Sequence, residues 1–126
     1  MKKCLLAIVF LLMPALGLAD SHDTAYAEMW QCEVKEGKTM DAIEANNKKW
    51  LAHTRSVAGS DEINSYALTT VVGDTTKFLF VDAYPSLAAW AAAKSAEKSD
   101  AGSAIEATFN ELMDCTKNRL YKSKKH

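Results

Sequence analysis

The chain has 126 residues, 48% of them hydrophobic, and a formal net charge of −1 at pH 7. Five of its 15 basic residues follow position 116, so residues 20–116 form an acidic body with a formal charge of −8. This length suits one domain with a modest core, and the acidic body argues against a nucleic-acid groove. The basic tail is interpreted as a solvated end, with contact to an anionic surface as the alternative.

Residues 1–19 have the pattern of a bacterial-type secretory signal peptide. Lys2 and Lys3 form a basic head, an apolar run follows, and Gly17 to Ala19 offers small residues for cleavage. The apolar run is shorter than the roughly 20 residues that a membrane span requires. We therefore expect a periplasmic or secreted protein, cleaved after Ala19 or at a second site after Ala27, with no membrane attachment after cleavage.

Cleavage after Ala19 would place Asp20, Ser21 and His22 at the new amino terminus. A free amine, two backbone amides and an imidazole at the third position form a square-planar nitrogen site that suits Cu(II) or Ni(II). Any third-position histidine creates this set, so chance is the simpler interpretation. The rest of the chain has no clustered metal ligands, phosphate loop or nucleophile elbow, and we expect no cofactor.

In chain order, residues 20–28 are polar, which predicts a flexible leader before a single domain at 29–126. Alternating side chains predict a strand at 29–35. Thr39 is a typical helix N-cap, and apolar residues at helical spacing predict a helix that ends near Gly59.

Two strands follow, at 63–72 and 77–84, joined by a turn at Gly73-Asp74. Together they are typical of a β-hairpin. In the second strand Phe78 and Phe80 share one face, and the intervening side chains are apolar too. A strand with two apolar faces requires cover on both sides.

Ser86 is expected to cap an alanine-rich helix at 87–98, Gly102 to interrupt the chain, and a further helix to cover 103–114 before a last strand at 117–122. The order β-α-β-β-α(α)-β is typical of an α+β, ferredoxin-like fold. We therefore predict a four-stranded antiparallel sheet with helices on one face.

Cys32 and Cys115 are the two cysteines that remain after cleavage. An even number in an exported chain favours a disulfide. It would close a loop of about 83 residues and stabilise the domain by about 4 kcal/mol. The predicted topology also brings the first and last strands together, where these cysteines lie. Two buried free thiols are the alternative, and a metal pair is less favoured.

The segment FLFVDAYPSLAAWAAA, Phe78 to Ala93, resembles the dimeric α/β barrel superfamily, which includes cofactor-free monooxygenases of the antibiotic-biosynthesis type and stress-responsive barrel proteins. Asp82, Tyr84 and Ser86 hold the acid, the aromatic and the helix-capping serine of that pattern. The resemblance implies a homodimer through the exposed sheet face and a cleft between each sheet and its helices. Haem-handling relatives use a helical histidine, and here only His53 is available.

Asn46, Trp50 and His53 share one face of the first predicted helix. We expect this face to line a small aromatic-walled pocket for a planar apolar molecule. His53 would move a proton, and Asp82 would orient it or act as the base. The predicted ligand-binding residues are Asn46, Trp50, Tyr66, Phe80, Tyr84 and Trp90.

An ordinary core, with Asn46 at the surface and His53 at the rim, is the alternative for these residues. Asp82 would then form a structural ion pair with Arg55 or Arg119. Three functions follow: a small-molecule-binding protein, which we favour; a cofactor-independent oxygenase-like or isomerase-like enzyme acting on a small aromatic or apolar substrate; or an interaction protein whose own aromatics fill the cleft. The enzyme hypothesis requires His53 and Asp82 to face one cavity.

Overall fold

The computed structural model describes residues 24–125. The signal peptide and the site at Asp20, Ser21 and His22 lie outside them, so these stay predictions. The elements, in chain order, are β1 (Thr24–Val34), α1 (Met40–Ala58), β2 (Asn64–Thr69), β3 (Lys77–Tyr84), α2 (Leu87–Glu97), α3 (Asp100–Leu112) and β4 (Met113–Lys124). None of the helices between residues 24 and 125 combines the length and apolar character that crossing a membrane requires.

The four strands form one antiparallel sheet in the order β2-β3-β1-β4. This order confirms the predicted α+β, ferredoxin-like topology. The first and last strands are neighbours, and Cys32 lies opposite Cys115 in their ladder. The two sulfur atoms are bonded, which confirms the predicted disulfide and excludes free thiols and a metal pair.

The two faces of the sheet differ. On β3, Phe78, Phe80, Asp82 and Tyr84 are buried towards the helices, whereas the side chains between them are partly exposed on the opposite side. This opposite side, which we call the open face, carries large exposed apolar side chains. It includes Met29, Tyr66, Leu68, Leu79, Val81 and Tyr121.

The helix caps follow the sequence. The Thr39 hydroxyl accepts a hydrogen bond from the backbone of Ala42, and Gly59 ends α1 in the left-handed conformation with a φ of 63°. Glycine adopts that conformation without the clash a Cβ would cause. Ser86 caps α2 in the same way as Thr39 caps α1.

The predicted flexible leader is wrong for residues 24–28, which belong to β1. Their backbone pairs with residues 120–124 of β4, and residues 26–28 also pair with β3. Pairing on two sides orders a segment that lacks an apolar pattern, because the ladder uses backbone groups rather than side chains. The described domain therefore begins by Thr24 rather than at residue 29.

Gly102 does not interrupt the chain, because α3 begins at Asp100 with Ser99 as its cap. A Cβ at Gly102 would clash with the carbonyl oxygen of Ala96, so this glycine permits α3 to approach the end of α2. The last strand also begins earlier than predicted, since Met113 pairs with Val34 directly after the helix. Strand β2 is shorter than predicted and ends at Thr69.

Candidate functional site

A cavity of about 210 Å³ lies between the helix-facing side of the sheet and the helices; we call it the cleft. Because the cleft is open, the hypothesis of a cleft filled by its own aromatics is wrong. Its aromatic walls are Trp30, Trp50, Phe80 and Phe109, and its acids are Asp82, Glu97 and Glu106. The lining is completed by Asn47, Asn110, Met113 and Cys115.

Asp82 is the most deeply buried acid of the cleft, with 6% of its surface exposed. The Ser65 hydroxyl donates a hydrogen bond to Oδ1 of Asp82, and the side-chain amide of Asn47 donates to that hydroxyl at 2.9 Å. Among the described residues, Oδ2 of Asp82 receives no hydrogen bond. Because Asp82 lines the cavity, a molecule bound there can offer this oxygen a hydrogen bond.

Burial raises the pKa of Asp82 to about 7. The Ser65 hydrogen bond and the charge of Lys94 oppose this rise, whereas the charges of Glu28 and Glu97 add to it. A carboxyl group whose pKa lies near neutral pH suits a proton donor or acceptor.

Glu28 lies directly opposite Asp82 in the β1–β3 ladder and is 3% exposed. Three donors reach its carboxylate: the Lys94 ammonium at 2.8 Å, the Trp90 indole at 3.2 Å and the Asn118 amide. A buried carboxylate requires such partners. Sequence reasoning missed Glu28, because it lies in the segment interpreted as a leader.

Lys94 also binds Glu97 at 2.8 Å and lies 5.3 Å from the centre of the Trp30 ring. Burial lowers the pKa of Lys94, but hydrogen bonds to Glu28 and Glu97 outweigh it, and the net change is upwards. The ammonium therefore stays charged. The spacing of Trp90, Lys94 and Glu97 on an alanine-rich helix was the sequence signal for this cluster, since i, i+4 and i+7 share one helix face.

Glu106, on α3, is partly buried at the wall of the cleft. Burial, together with the charge of Glu97, raises its pKa. Within residues 24–125, neither Asp82 nor Glu106 takes part in an ion pair, and no grouping of His, Cys, Asp and Glu side chains has the arrangement to hold a metal ion. Among residues 24–125, the side chains that line the cleft include no basic one.

The structure does not bring His53 to the cleft. Its Nε2 donates to the carbonyl oxygen of Ala96 at 3.1 Å and lies 3.0 Å from the Ser99 hydroxyl, at the junction of α2 and α3. Ala96 lies near the end of α2, and Ser99 is the N-cap of α3. His53 and Asp82 therefore do not face one cavity, as the enzyme hypothesis with His53 required. The contacts of His53 instead connect α1 to the junction of α2 and α3.

Only some of the predicted ligand-binding residues lie in the wall of the cleft. Trp50 and Phe80 line the cleft, and their role in ligand binding stays a prediction. Tyr66 does not, because it pairs with Val81 and therefore points to the open face, where it is 54% exposed. A strand turns successive side chains to opposite faces, and Ser65 rather than Tyr66 reaches Asp82.

Three further predicted ligand residues lie beside the cleft rather than in its wall. Asn46 is buried rather than solvent-exposed and donates to the carbonyl of Ile105, and Trp90 donates to Glu28. Tyr84 is enclosed, and its hydroxyl has no hydrogen-bond partner among the described residues. Burial raises the pKa of Tyr84, so the phenol stays neutral. The neighbour of Asn46, Asn47, lines the cleft instead.

Neither arginine proposed as an ion-pair partner reaches Asp82. Arg55 donates to the carbonyl oxygen of Ile63 at 2.8 Å and to the side chain of Asn64 at 3.0 Å. Arg119 lines a groove on the open face, on the opposite side of the sheet from Asp82. The alternative of a structural ion pair between Asp82 and Arg55 or Arg119 is therefore wrong.

This chain has an α+β, ferredoxin-like fold, and several solved structures share that fold. It is similar to SnoaB, a cofactor-independent oxygenase from Streptomyces nogalater, with a TM-score of 0.61 and 8% identity over 81% of this chain and 95% of that one. It is also similar to a NIPSNAP family protein of unknown function from Agrobacterium tumefaciens, with a TM-score of 0.61 and 15% identity over 82% and 92% of the two chains.

An uncharacterised NIPSNAP-like domain protein from Burkholderia xenovorans is a further neighbour, with a TM-score of 0.56 and 10% identity over 83% of this chain and 87% of that one. No family model matches the chain, and no curated protein matches it. At these identities the likeness concerns the fold, and the chemistry must be argued from the cleft.

Proposed function

We propose that this protein binds a small molecule in the cleft between its sheet and its helices. The observation that carries the proposal is the cavity itself, in which four aromatic walls surround the buried carboxyl group of Asp82. A largely apolar concave site with a few polar groups is the usual form of a small-molecule site.

The size of the cleft limits the ligand. Pockets for drug-sized molecules have volumes of roughly 300–1,000 Å³, and this cavity of about 210 Å³ is smaller. It suits a molecule of about one aromatic ring with a short polar arm. The ring of the ligand would pack against the aromatic walls of the cleft, and its polar arm would reach Oδ2 of Asp82.

A fragment screen by two-dimensional NMR tests the proposal. Fragments that bind should shift the indole signals of Trp30 and Trp50, which line the cleft. Asn110 is exposed at the cleft wall, so Asn110→Trp should block it and abolish these shifts. Ala104→Trp, on the same helix but outside the lining, is the matched control. If no fragment shifts the cleft signals, or if both variants bind equally, the proposal fails.

We also propose that the protein is exported, as the first 19 residues predict. The Cys32–Cys115 disulfide supports this, since such bonds persist in oxidising compartments. Cleavage after Ala27 would remove residues 24–27 from β1 and their pairing with β4, so cleavage after Ala19 is favoured. Intact mass measurement of the exported protein tests the site: a mature chain that starts at Glu28 contradicts this choice.

A homodimer through the open face is the third part of the proposal. Tyr66, Leu68 and Tyr121 are 54%, 51% and 44% exposed there, and an apolar surface of this kind is typical of an interface. Leu68→Glu should shift the protein towards monomers in sedimentation velocity. Val57→Glu, at an equally exposed apolar position on α1, should not. Monomeric wild-type protein at micromolar concentration contradicts the dimer.

Acid–base catalysis in the same cleft is a second candidate, favoured by the position of the pKa of Asp82 near 7. SnoaB, which shares the fold, is described as a cofactor-independent oxygenase. In such a reaction Asp82 would take a proton from the bound substrate, without His53. Oxygen uptake with a panel of small phenols is the test: uptake should be lost in Asp82→Asn and kept in His53→Gln.

A further inference from the structure

We infer that the ligand of the cleft is a small organic cation, a protonated amine carried on an aromatic ring. The inference rests on the proposed function, because it names the chemical class of the molecule that the same cleft binds. Three observations carry it: the charge balance of the cleft, the composition of its walls and the free oxygen of Asp82.

The charge balance leaves two acids without a cation. Lys94 is the one basic side chain paired with the cleft's acids among the described residues, and its ammonium already binds Glu28 and Glu97 at 2.8 Å each. Asp82 and Glu106 line the cavity and have no ion-pair partner in that part of the chain. A partly buried carboxylate gains from a cation and repels an anion.

The walls suit the same ligand. Trp30 already makes a cation–π contact within the protein, because the ammonium of Lys94 lies 5.3 Å from the centre of its ring. Trp50, Phe80 and Phe109 add further aromatic surface. Desolvated aromatic rings attract cations through the negative charge of their faces, and cages of aromatic side chains are a recurrent means of binding ammonium ligands.

A metal ion fits less well than an organic cation. Asp82 is enclosed by its neighbours, and its Oδ2 accepts no hydrogen bond from the described residues, so it offers one acceptor inside the cavity. The described residues contain no metal-ligating group of three or more His, Cys, Asp or Glu side chains. A protonated amine needs only one or two acceptors and uses the aromatic walls as well.

Three probes with the same ring distinguish the ligand classes: phenethylamine, 2-phenylethanol and phenylacetate. Titration by NMR or calorimetry at pH 7.5 should give a dissociation constant for the amine at least tenfold lower than for the alcohol, and phenylacetate should bind more weakly still. Glu106→Gln and Asp82→Asn should each reduce the preference for the amine severalfold. Glu111→Gln, an exposed acid on the same helix, should leave it unchanged.

The pH dependence provides a second readout. The charged and titratable groups around Asp82 are Glu28 of β1, Tyr84 of β3, Lys94 and Glu97 of α2, and Glu106 of α3 in the same cavity. As Asp82 ionises near pH 7, affinity for the amine should rise between pH 6 and pH 8, whereas affinity for the alcohol should not. Asp82→Asn should remove most of this rise, whereas Glu106→Gln should leave most of it in place. Thermal unfolding checks that both variants are folded.

If 2-phenylethanol or phenylacetate binds as tightly as phenethylamine or more tightly, the inference of a cationic ligand is wrong, but the cleft is still a small-molecule site. Failure of all three probes to bind also overturns the inference. The proposed function fails separately, when the fragment screen with Asn110→Trp finds no molecule that occupies the cleft. The two failures are therefore distinguishable.

Discussion

Glu28 and Asp82 lie directly opposite each other on β1 and β3, and both carboxyl groups are buried on the helix-facing side of the sheet. Two like charges so placed destabilise each other. Lys94 resolves the conflict by binding Glu28 at 2.8 Å. Asp82 is left with a hydroxyl donor, and burial, together with the charge of Glu28, makes it keep its proton to a higher pH than an exposed aspartate does.

This arrangement predicts how stability depends on pH. The pKa of Asp82 is about 7 in the folded protein, whereas the pKa of an unperturbed aspartate is 3.8. The unfolded chain therefore loses this proton first, and the free energy of unfolding should fall as pH rises from about 4 to 7 and then level off. The shift corresponds to a loss on the order of 4 kcal/mol.

Urea unfolding of the wild type and of Asp82→Asn across pH 4 to 8 measures this loss, because the other titrating groups are common to both proteins. The asparagine variant should gain stability relative to the wild type as pH rises. Parallel profiles for the two proteins would contradict the raised pKa of Asp82.

Removal of the Glu28 charge should destabilise the fold. Glu28→Gln leaves Lys94 with Glu97 alone in a partly buried site, and loss of one partner of a buried pair costs roughly 3–5 kcal/mol, less when a neutral acceptor remains. We expect a decrease of about 2–3 kcal/mol in the free energy of unfolding. Glu33→Gln, an exposed acid on the same strand, should change it little.

The same variant should lower the pKa of Asp82, because the charge of Glu28 raises it. Carbon-13 NMR of the Asp82 carboxyl group measures this titration directly. An unchanged midpoint in Glu28→Gln would show that the two carboxyl groups are not coupled.

His53 should matter for stability and not for binding. His53→Ala removes the hydrogen bond to the Ala96 carbonyl and leaves that oxygen with Ser99, which should cost about 1 kcal/mol. Fragment affinity should stay the same. Lys49→Ala, at an exposed position of the same helix, controls for helix propensity. Loss of binding with unchanged stability would restore the interpretation of His53 as a functional residue.

The disulfide should account for a large share of the domain's stability. It joins residues 83 positions apart, and loop entropy predicts a contribution of about 4 kcal/mol. The double variant Cys32→Ser, Cys115→Ser should lose this amount, and dithiothreitol should destabilise only the wild type. Equal stability of oxidised and reduced wild-type protein would contradict this contribution.

Patterns between neighbours in the chain determined much of the fold. The caps at Thr39, Ser86 and Gly59 were predicted correctly, since a capping side chain or a left-handed glycine acts within one helical turn. The alternation of β3 and the element order then predicted the sheet, and with it the disulfide between its first and last strands.

Tertiary structure decided the site. The partners of Glu28 and His53 come from elements distant in sequence. The face on which Tyr66 lies depends on strand register, and Asn47 rather than Asn46 lines the cleft because of the rotation of the helix. Sequence periodicity specifies which side chains share a face. Burial, ion pairing and the pKa of Asp82 depend instead on which atoms meet across that face, because desolvation and Coulomb interactions act through space rather than along the chain.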